Sequence, residues 1–106
     1  MAYVPAKLDQ VLLDPTRLSI VALLAASEWC EFAFVRDSVE LSDSALSKQI
    51  STLRTAELIE VRKGYAGNRP KTWVRATAEG CARLDGHVRA LQDIATRAAE
   101  RAGESG

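Results

Sequence analysis

The chain has 106 residues, of which 47% are hydrophobic and 26% charged, with 14 basic side chains balancing 14 acidic ones. This composition predicts a single soluble domain over 1–106 with one modest core, and it excludes a low-complexity or highly charged disordered chain. No stretch approaches the roughly 18 to 20 apolar residues that cross a bilayer, and the start of the chain does not resemble a secretion signal, so we expect a cytoplasmic protein.

Three helical patterns and a short strand are predicted in the first part of the chain. A short helix is expected over Ala6 to Leu13. A longer one begins after Asp14, a favourable N-cap, with Pro15 in its first turn. The stretch "EWCEF" is a candidate strand, and "FAFVRDSVE" has the pattern of a compact helix. The apolar side of the longer helix is expected to hold Leu18, Val21, Ala22 and Ala25.

The stretch "SDSALSKQIS" predicts the next helix, over about 43–56, with Ser42 or Asp43 as its cap. Leu46, Ile50 and Leu53 recur with the spacing of one buried helical face. The opposite face then carries short hydroxyls and cations, whereas a merely solvated helix more usually has Glu, Lys and Ala. Short hydroxyls let a helix approach a major groove closely and bond to phosphates or base edges. The side chains that we interpret as DNA contacts on this face are Ser44, Ser47, Lys48, Ser51 and Arg54.

Two β-rich runs, "LIEVRKG" and "KTWVRAT", flank "YAGNRP", which predicts a hairpin with a flexible tip over about 58–77. Thr77 is a candidate cap for a final helix from Ala78 to about Arg101, followed by a frayed "GESG" tail. The apolar residues of this helix recur in steps of three and four, as in a coiled-coil seam. Such a seam either folds back on its own domain or meets the same helix of a second copy. Its members are Cys81, Leu84, Val88, Leu91, Ala95 and Ala98.

The neutral overall balance hides a segregation of charge. Between Ser44 and Arg75 there are 7 basic residues and 2 acidic ones, so this segment carries +5 and the rest of the chain −5. A basic segment in an otherwise acidic protein is typical of a nucleic-acid-binding face, although charged runs are also common on plain solvated surfaces.

The order helix, short strand, helix, helix, hairpin, helix is that of a winged helix-turn-helix domain. The stretches "LSDSALSKQISTLRTAELIEV", "GNRPKTW" and "TAEG" resemble the small stand-alone MarR/ArsR-type winged-helix transcriptional regulators. The resemblance covers roughly residues 8–95. The chain lacks the cysteine-rich metal motif of the ArsR sensors and is shorter than full-length MarR proteins. The resemblance implies a mainly α fold with a small β-hairpin (α+β), flanked by N- and C-terminal dimerisation helices.

The same resemblance implies a homodimer that binds a pseudo-palindromic double-stranded DNA operator, with the recognition helix in the major groove and the wing along the backbone. Related wings often place an arginine in the minor groove, a role that falls here to Arg69. The phosphate contacts expected from the wing are Arg62, Lys63 and Lys71. The dimer interface is expected to contain Leu84, Val88, Leu91 and Ala95, joined by Tyr3, Val4 and Leu8. We expect a repressor; a winged-helix module for protein–protein contact without DNA binding is the alternative.

The remaining reactive side chains do not suggest an enzyme. The sequence has no Gly-rich phosphate loop, metal-ligand cluster or nucleophile–base pair, so neither catalysis nor a metal or other cofactor is expected. Cys30 and Cys81 are interpreted as small buried hydrophobes, with a redox-sensing thiol as the alternative. His87 is expected on the surface or at an interface, and Trp29 in the core. The resemblance also allows a small-molecule effector, whose chemistry the sequence does not indicate.

Overall fold

The computed structural model describes residues 8–105, which form a winged helix-turn-helix domain. A short 3-10 helix, Val11–Leu13, comes first. The elements that follow are α1 (Pro15–Ala25), β1 (Cys30–Glu31), α2 (Phe32–Ser38), α3 (Asp43–Thr55), β2 (Ile59–Ala66), β3 (Arg69–Ala76) and α4 (Ala78–Ser105). The predicted mainly α fold with a small β-hairpin is confirmed. Within the described part of the chain, no helix is both long and apolar enough to cross a membrane.

Side-chain caps begin α1 and α3 where the sequence predicts them. The Asp14 carboxylate accepts a hydrogen bond from the Arg17 N–H at 2.9 Å, and Pro15 occupies the first turn of α1. The Ser42 hydroxyl accepts a hydrogen bond from the Ala45 N–H at 3.1 Å and begins α3. Each cap supplies a partner to an amide that has none within its own helix.

The buried face of α1 differs from the predicted one. Of the expected residues, Val21 is buried, but Leu18 is only half-buried and Ala22 is exposed. Ile20 and Leu24 take the buried places, because a large aliphatic side chain removes more apolar area from water than an alanine does. The other elements contribute the remaining core residues, which are Leu12, Cys30, Val35, Leu46, Ile50, Leu53, Leu58, Ile59 and Val74.

The three strands form an antiparallel sheet in the order β1-β3-β2. β2 pairs with β3 along its whole length, up to the closing pair Ala66 and Arg69. Gly67 at the tip has a φ of 63°, a conformation that glycine adopts without strain. Successive side chains of a strand point to opposite faces, so Val61 packs against the core and its neighbour Arg62 lies on the outer face.

The two ends of the described chain differ from the prediction. The expected N-terminal helix is reduced there to the 3-10 turn Val11–Leu13. Tyr3 and Val4, expected at the dimer interface, and Ala6, expected to begin the first helix, lie outside the described residues. At the other end α4 continues to Ser105, so the expected frayed tail is helical over most of its length. A salt bridge between Arg101 and Glu104, three residues apart, accompanies this extension of the helix.

His87 is buried, with 1% of its surface exposed, so its predicted surface position is wrong. Its Nδ1 accepts a hydrogen bond from the Asp9 N–H at 2.9 Å. The Arg83 guanidinium donates to both carboxylate oxygens of Asp9, at 2.6 and 3.0 Å, and to the Ala56 carbonyl at 3.3 Å. This cluster ties the segment before α1 to the last helix, α4, and to the end of α3.

The Asp9–Arg83 pair predicts a specific loss of stability in acid. The hydrogen bond from Arg83 lowers the pKa of the Asp9 carboxyl below its usual value of 3.8. Ionised Asp9 therefore stabilises the fold at pH values above the usual pKa of a carboxyl group. This contribution is lost as the pH falls through the folded-state pKa of Asp9. We expect the free energy of unfolding to fall less in Asp9→Asn than in the wild type between about pH 5 and about pH 3. Denaturant titrations at both pH values check this, and equal falls in the two proteins would contradict it.

Cys30 is buried, as predicted, but Cys81 is exposed on α4, so its predicted burial is wrong. The inward position is taken by Gly80, which is buried against the start of the sheet. A Cβ built on Gly80 would stand 2.1 Å from the Leu58 carbonyl oxygen. The helix thus approaches the backbone before β2 closely at Gly80, and the next residue along α4 faces solvent.

Candidate nucleic-acid interface

α3 presents an exposed face that is rich in hydroxyl groups. Its apolar side, formed by Leu46, Ile50 and Leu53, is buried as predicted. At about 100° per residue, three serines share one side of the helix outside this buried stripe. These are Ser44, Ser47 and Ser51, and all three are exposed. The short side chains leave the helix surface shallow along this side.

Cations lie along both edges of the serine face. A groove of about 410 Å³ separates α3 from the sheet, and Ser47, Arg54 and Lys63 are among the residues that line it. Lys48 is exposed on the other edge, away from this groove. The structure therefore brings hydroxyls and cations from α3 and β2 together on one surface, with positive charge on either side of the serines.

The hairpin tip and the strand after it carry two further cations, which alternate along β3 with Trp73 and so start from the outer face of the sheet, opposite Lys63. Arg69 begins β3 directly after the Gly67–Asn68 turn, and its exposed side chain has no ion pair with another described residue. Lys71 is half-buried, and its Nζ lies 3.4 Å from Glu31 Oε2. Its charge is therefore partly compensated within the protein, whereas that of Arg69 is directed to solvent.

Arg62 lies on the opposite side of the sheet from Lys63, away from α3. Its guanidinium carbon is 4.5 Å from the centre of the Trp29 ring, and that of Arg75 is 4.7 Å from it. Arg75 also forms a salt bridge with Glu60 at 3.3 Å. Trp29 is half-buried beneath these two cations, so its predicted place in the core is wrong. Cation–π contact thus holds Arg62 on the outer face of the hairpin.

The turn between α2 and α3 carries an ion-pair cluster that the sequence patterns did not indicate. The Arg36 Nε donates to the Asp37 carboxylate and its Nη1 donates to the Asp43 carboxylate, each at 2.9 Å. The guanidinium lowers the pKa of the Asp37 carboxyl through that hydrogen bond. Asp43 lies in the first turn of α3 and lines the groove towards the wing. The pair joins two different helices, so no periodicity within one helix reveals it.

The first half of α4 packs on the domain, and the second half extends beyond it. Leu84 packs against the core of its own chain, and Ala90 is buried. Further apolar side chains of the helix remain exposed. They are Val88, Leu91, Ile94 and Ala95, of which the three larger ones expose 37 to 41% of their surface. Ile94 is not in the predicted seam, whose steps of three and four pass through Leu91 and Ala95.

Comparison with known proteins identifies the family. A family model for a winged helix DNA-binding domain matches residues 16–95, from α1 into α4. The chain belongs to the winged helix DNA-binding domain family. This family consists of DNA-binding proteins rather than enzymes. The winged-helix chain is also 31% identical, over 64 residues, to the uncharacterized protein MJ0432 of Methanocaldococcus jannaschii, a match that covers 60% of this chain and 70% of that protein.

Solved structures confirm the winged-helix fold. A transcriptional regulator homologue from Pyrococcus horikoshii OT3 superposes with a TM-score of 0.77 at 24% identity, covering 83% of this chain and 87% of that one. ZitR of Lactococcus lactis, a zinc-responsive MarR family member, superposes with a TM-score of 0.62 at 20% identity, covering 98% and 71%. Among the residues described here, no three His, Cys, Asp or Glu side chains are grouped to hold a metal ion.

Proposed function

We propose that this winged-helix protein is a homodimeric transcriptional regulator that recognises a pseudo-palindromic operator and represses transcription by occupying it. The observation that carries the proposal is the serine face of α3, which is exposed and has cations on both edges. The major groove of B-DNA admits an α-helix, and short side chains allow its backbone to come close to the bases. Positive charge on both edges matches the two phosphate backbones that border the groove.

Each part of the surface has a distinct role in this proposal. The three serines and Lys48 face the base edges and nearby phosphates of the major groove. Arg54 and Lys63 contact phosphates beside it. Lys71 lies on the outer face of the wing and contacts a phosphate from there, once it has exchanged Glu31 for that phosphate. Arg69 at the hairpin tip enters the adjacent minor groove, where a narrow A·T-rich groove attracts arginine. Arg62 contributes mainly long-range charge, because Trp29 holds it on the outer face.

The proposed dimer uses the apolar face of α4 between Leu84 and Ala95. An apolar helix face that leaves the domain with large aliphatic side chains exposed buries them when it meets the same face of a second copy. Leu84 and Ala95 extend this contact at its two ends. Two-fold symmetry then presents two recognition helices to successive major grooves, with half-sites about 10 base pairs apart or a multiple of that spacing. Such a dimer acts on DNA in the cytoplasm.

Binding across a salt series tests the division of roles on this surface. An operator is first obtained by selection from random DNA, and the affinities of the wild type, Lys48→Ala and Arg69→Ala are compared on the operator and on scrambled DNA. Loss of a base contact costs about 1 to 3 kcal/mol on the operator and relaxes preference at one position of each half-site. We expect that pattern for Lys48→Ala. For Arg69→Ala we expect weaker binding to both DNAs. The slope of the logarithm of the binding constant against the logarithm of the salt concentration should also be smaller by about one for each phosphate contact that is lost.

Arg89→Ala is the matched control, because it also removes one exposed cation but lies on α4 beside Asp85. It should bind the operator as the wild type does. Operator binding by Lys48→Ala and Arg69→Ala that equals that of the control would show that the DNA-facing surface is assigned wrongly. A wild type that binds no DNA at any salt concentration would favour a protein–protein module instead.

A further inference from the structure

The Arg36–Asp43 pair lies on the surface that faces DNA in the proposed function, but the proposed DNA contacts do not include either residue. Asp43 is the first residue of α3, so the helix begins with a carboxylate. On the helical projection it lies on the same side as Ser47, four residues later, and both line the groove next to the wing. In helix-turn-helix proteins the first residues of the recognition helix are those that contact base edges. A carboxylate in this place is unexpected, because DNA repels an uncompensated anion.

Arg36 reduces that repulsion. Its Nη1 donates to Asp43 Oδ1 at 2.9 Å, so the carboxylate is paired with a cation before it meets DNA. Arg36 also pairs with Asp37, so the three side chains together keep one negative charge. Asp43 Oδ2 has no hydrogen-bond partner among the described residues, and neither has Arg36 Nη2. The side chain of Asp43 remains 73% exposed despite the pair. The geometry thus presents an open acceptor, held in place by a cation, next to an open donor that suits a phosphate.

We infer that Asp43 determines part of the DNA sequence specificity, an inference that rests on the proposed function. The Asp43 carboxylate accepts a hydrogen bond from the N4 amino group of a cytosine in each half-site. Arg36 is the positioning residue that holds the carboxylate and offsets part of its charge. In the major groove cytosine presents an amino donor, whereas guanine presents the acceptors O6 and N7, and thymine presents O4 and a methyl group. A carboxylate oxygen therefore attracts cytosine and repels guanine at the same position.

Selection from a random DNA library by the full chain tests the inference. We expect the wild-type protein to select cytosine over guanine at one position of each half-site by about 5- to 150-fold. Asp43→Asn should lose that preference and turn towards adenine, since asparagine pairs with the N6 and N7 of adenine. All other positions of the operator should stay the same. Asp85→Asn, a neutralised acid on α4, is the matched control and should select the wild-type operator.

A double-mutant cycle tests the part played by Arg36. Arg36→Gln leaves the carboxylate uncompensated, so it should weaken operator binding at least about 5-fold more in the wild-type background than in the Asp43→Asn background. Equal losses in both backgrounds would overturn the charge-offsetting role of Arg36. An unchanged operator for Asp43→Asn would overturn the base contact, even if its unfolding temperature shifts, because a purely helix-stabilising acid affects stability alone. A wild type that selects no sequence would instead overturn the proposed function, and this inference with it.

Discussion

Leu91→Glu should convert the proposed dimer to monomers. Leu91 lies at the middle of α4 with 41% of its surface exposed, and two-fold symmetry would bring two copies of the new carboxylate into one apolar contact. Burying a charge without a partner costs several kcal/mol, so the dimer dissociation constant should rise by at least about 100-fold. Sedimentation at several concentrations measures this directly. Because operator binding requires both half-sites, the variant should also lose most of its affinity for the operator.

Arg97→Glu is a useful control for Leu91→Glu. It places a glutamate six residues further along the same helix, at a position that is exposed and polar in the wild type. It should sediment as the wild type does. A Leu91→Glu protein that remains a dimer would show that the exposed aliphatic residues of α4 are not the interface, and the second copy would then have to bind elsewhere.

Gly80→Ala should destabilise the domain more than any other single methyl group added to α4. Its Cβ would stand 2.1 Å from the Leu58 carbonyl oxygen, and a backbone atom cannot move aside as a flexible side chain can. Overpacking of this kind costs typically 1 to 3 kcal/mol and sometimes more, and we expect about 3 kcal/mol or more here. The melting temperature and the denaturant midpoint should fall together.

Gly86→Ala is the matched control, since it adds the same methyl group further along α4. Apart from the adjacent residues and backbone of its own helix, a Cβ on Gly86 has no heavy atom within 4 Å. Replacing a helical glycine by alanine should then raise stability by about 0.5 to 1 kcal/mol. Similar stability for the two variants would contradict the close approach of α4 to Leu58.

The parts of the fold that were predictable are those set by neighbouring residues. The Ser42 cap, the buried spacing of Leu46, Ile50 and Leu53, and the turn at Gly67 are all local, so α3 and the hairpin were predicted nearly to their ends. The burial of His87 depends on Asp9, 78 residues away in sequence, and no local pattern carries that information.

The candidate site shows the same division between local and long-range information. The exposed serine face follows from helical periodicity alone. The count of basic residues, in contrast, does not distinguish Arg62 from Lys63. Alternate side chains of a strand point to opposite faces of the sheet, so the two cations lie on different faces. The alternation alone predicts that Arg62 and Lys63 lie on different faces. The contact of Arg62 with Trp29 is not predictable in this way, because the two residues are far apart in sequence. The pair formed by Arg36 and Asp43 is not predictable either, because it depends on the angle between α2 and α3.

The most direct test of the DNA-binding account is a map of backbone amide chemical shifts in the full chain as the selected operator is added. The account predicts that the largest changes fall on Ser44, Ser47 and Lys48 of α3 and on Asn68 and Arg69 at the hairpin tip. The outer face of the sheet around Trp29 should change little. Large changes confined to α4 or to the outer face, with α3 unaffected, would contradict the proposal that the serine face of α3 reads DNA.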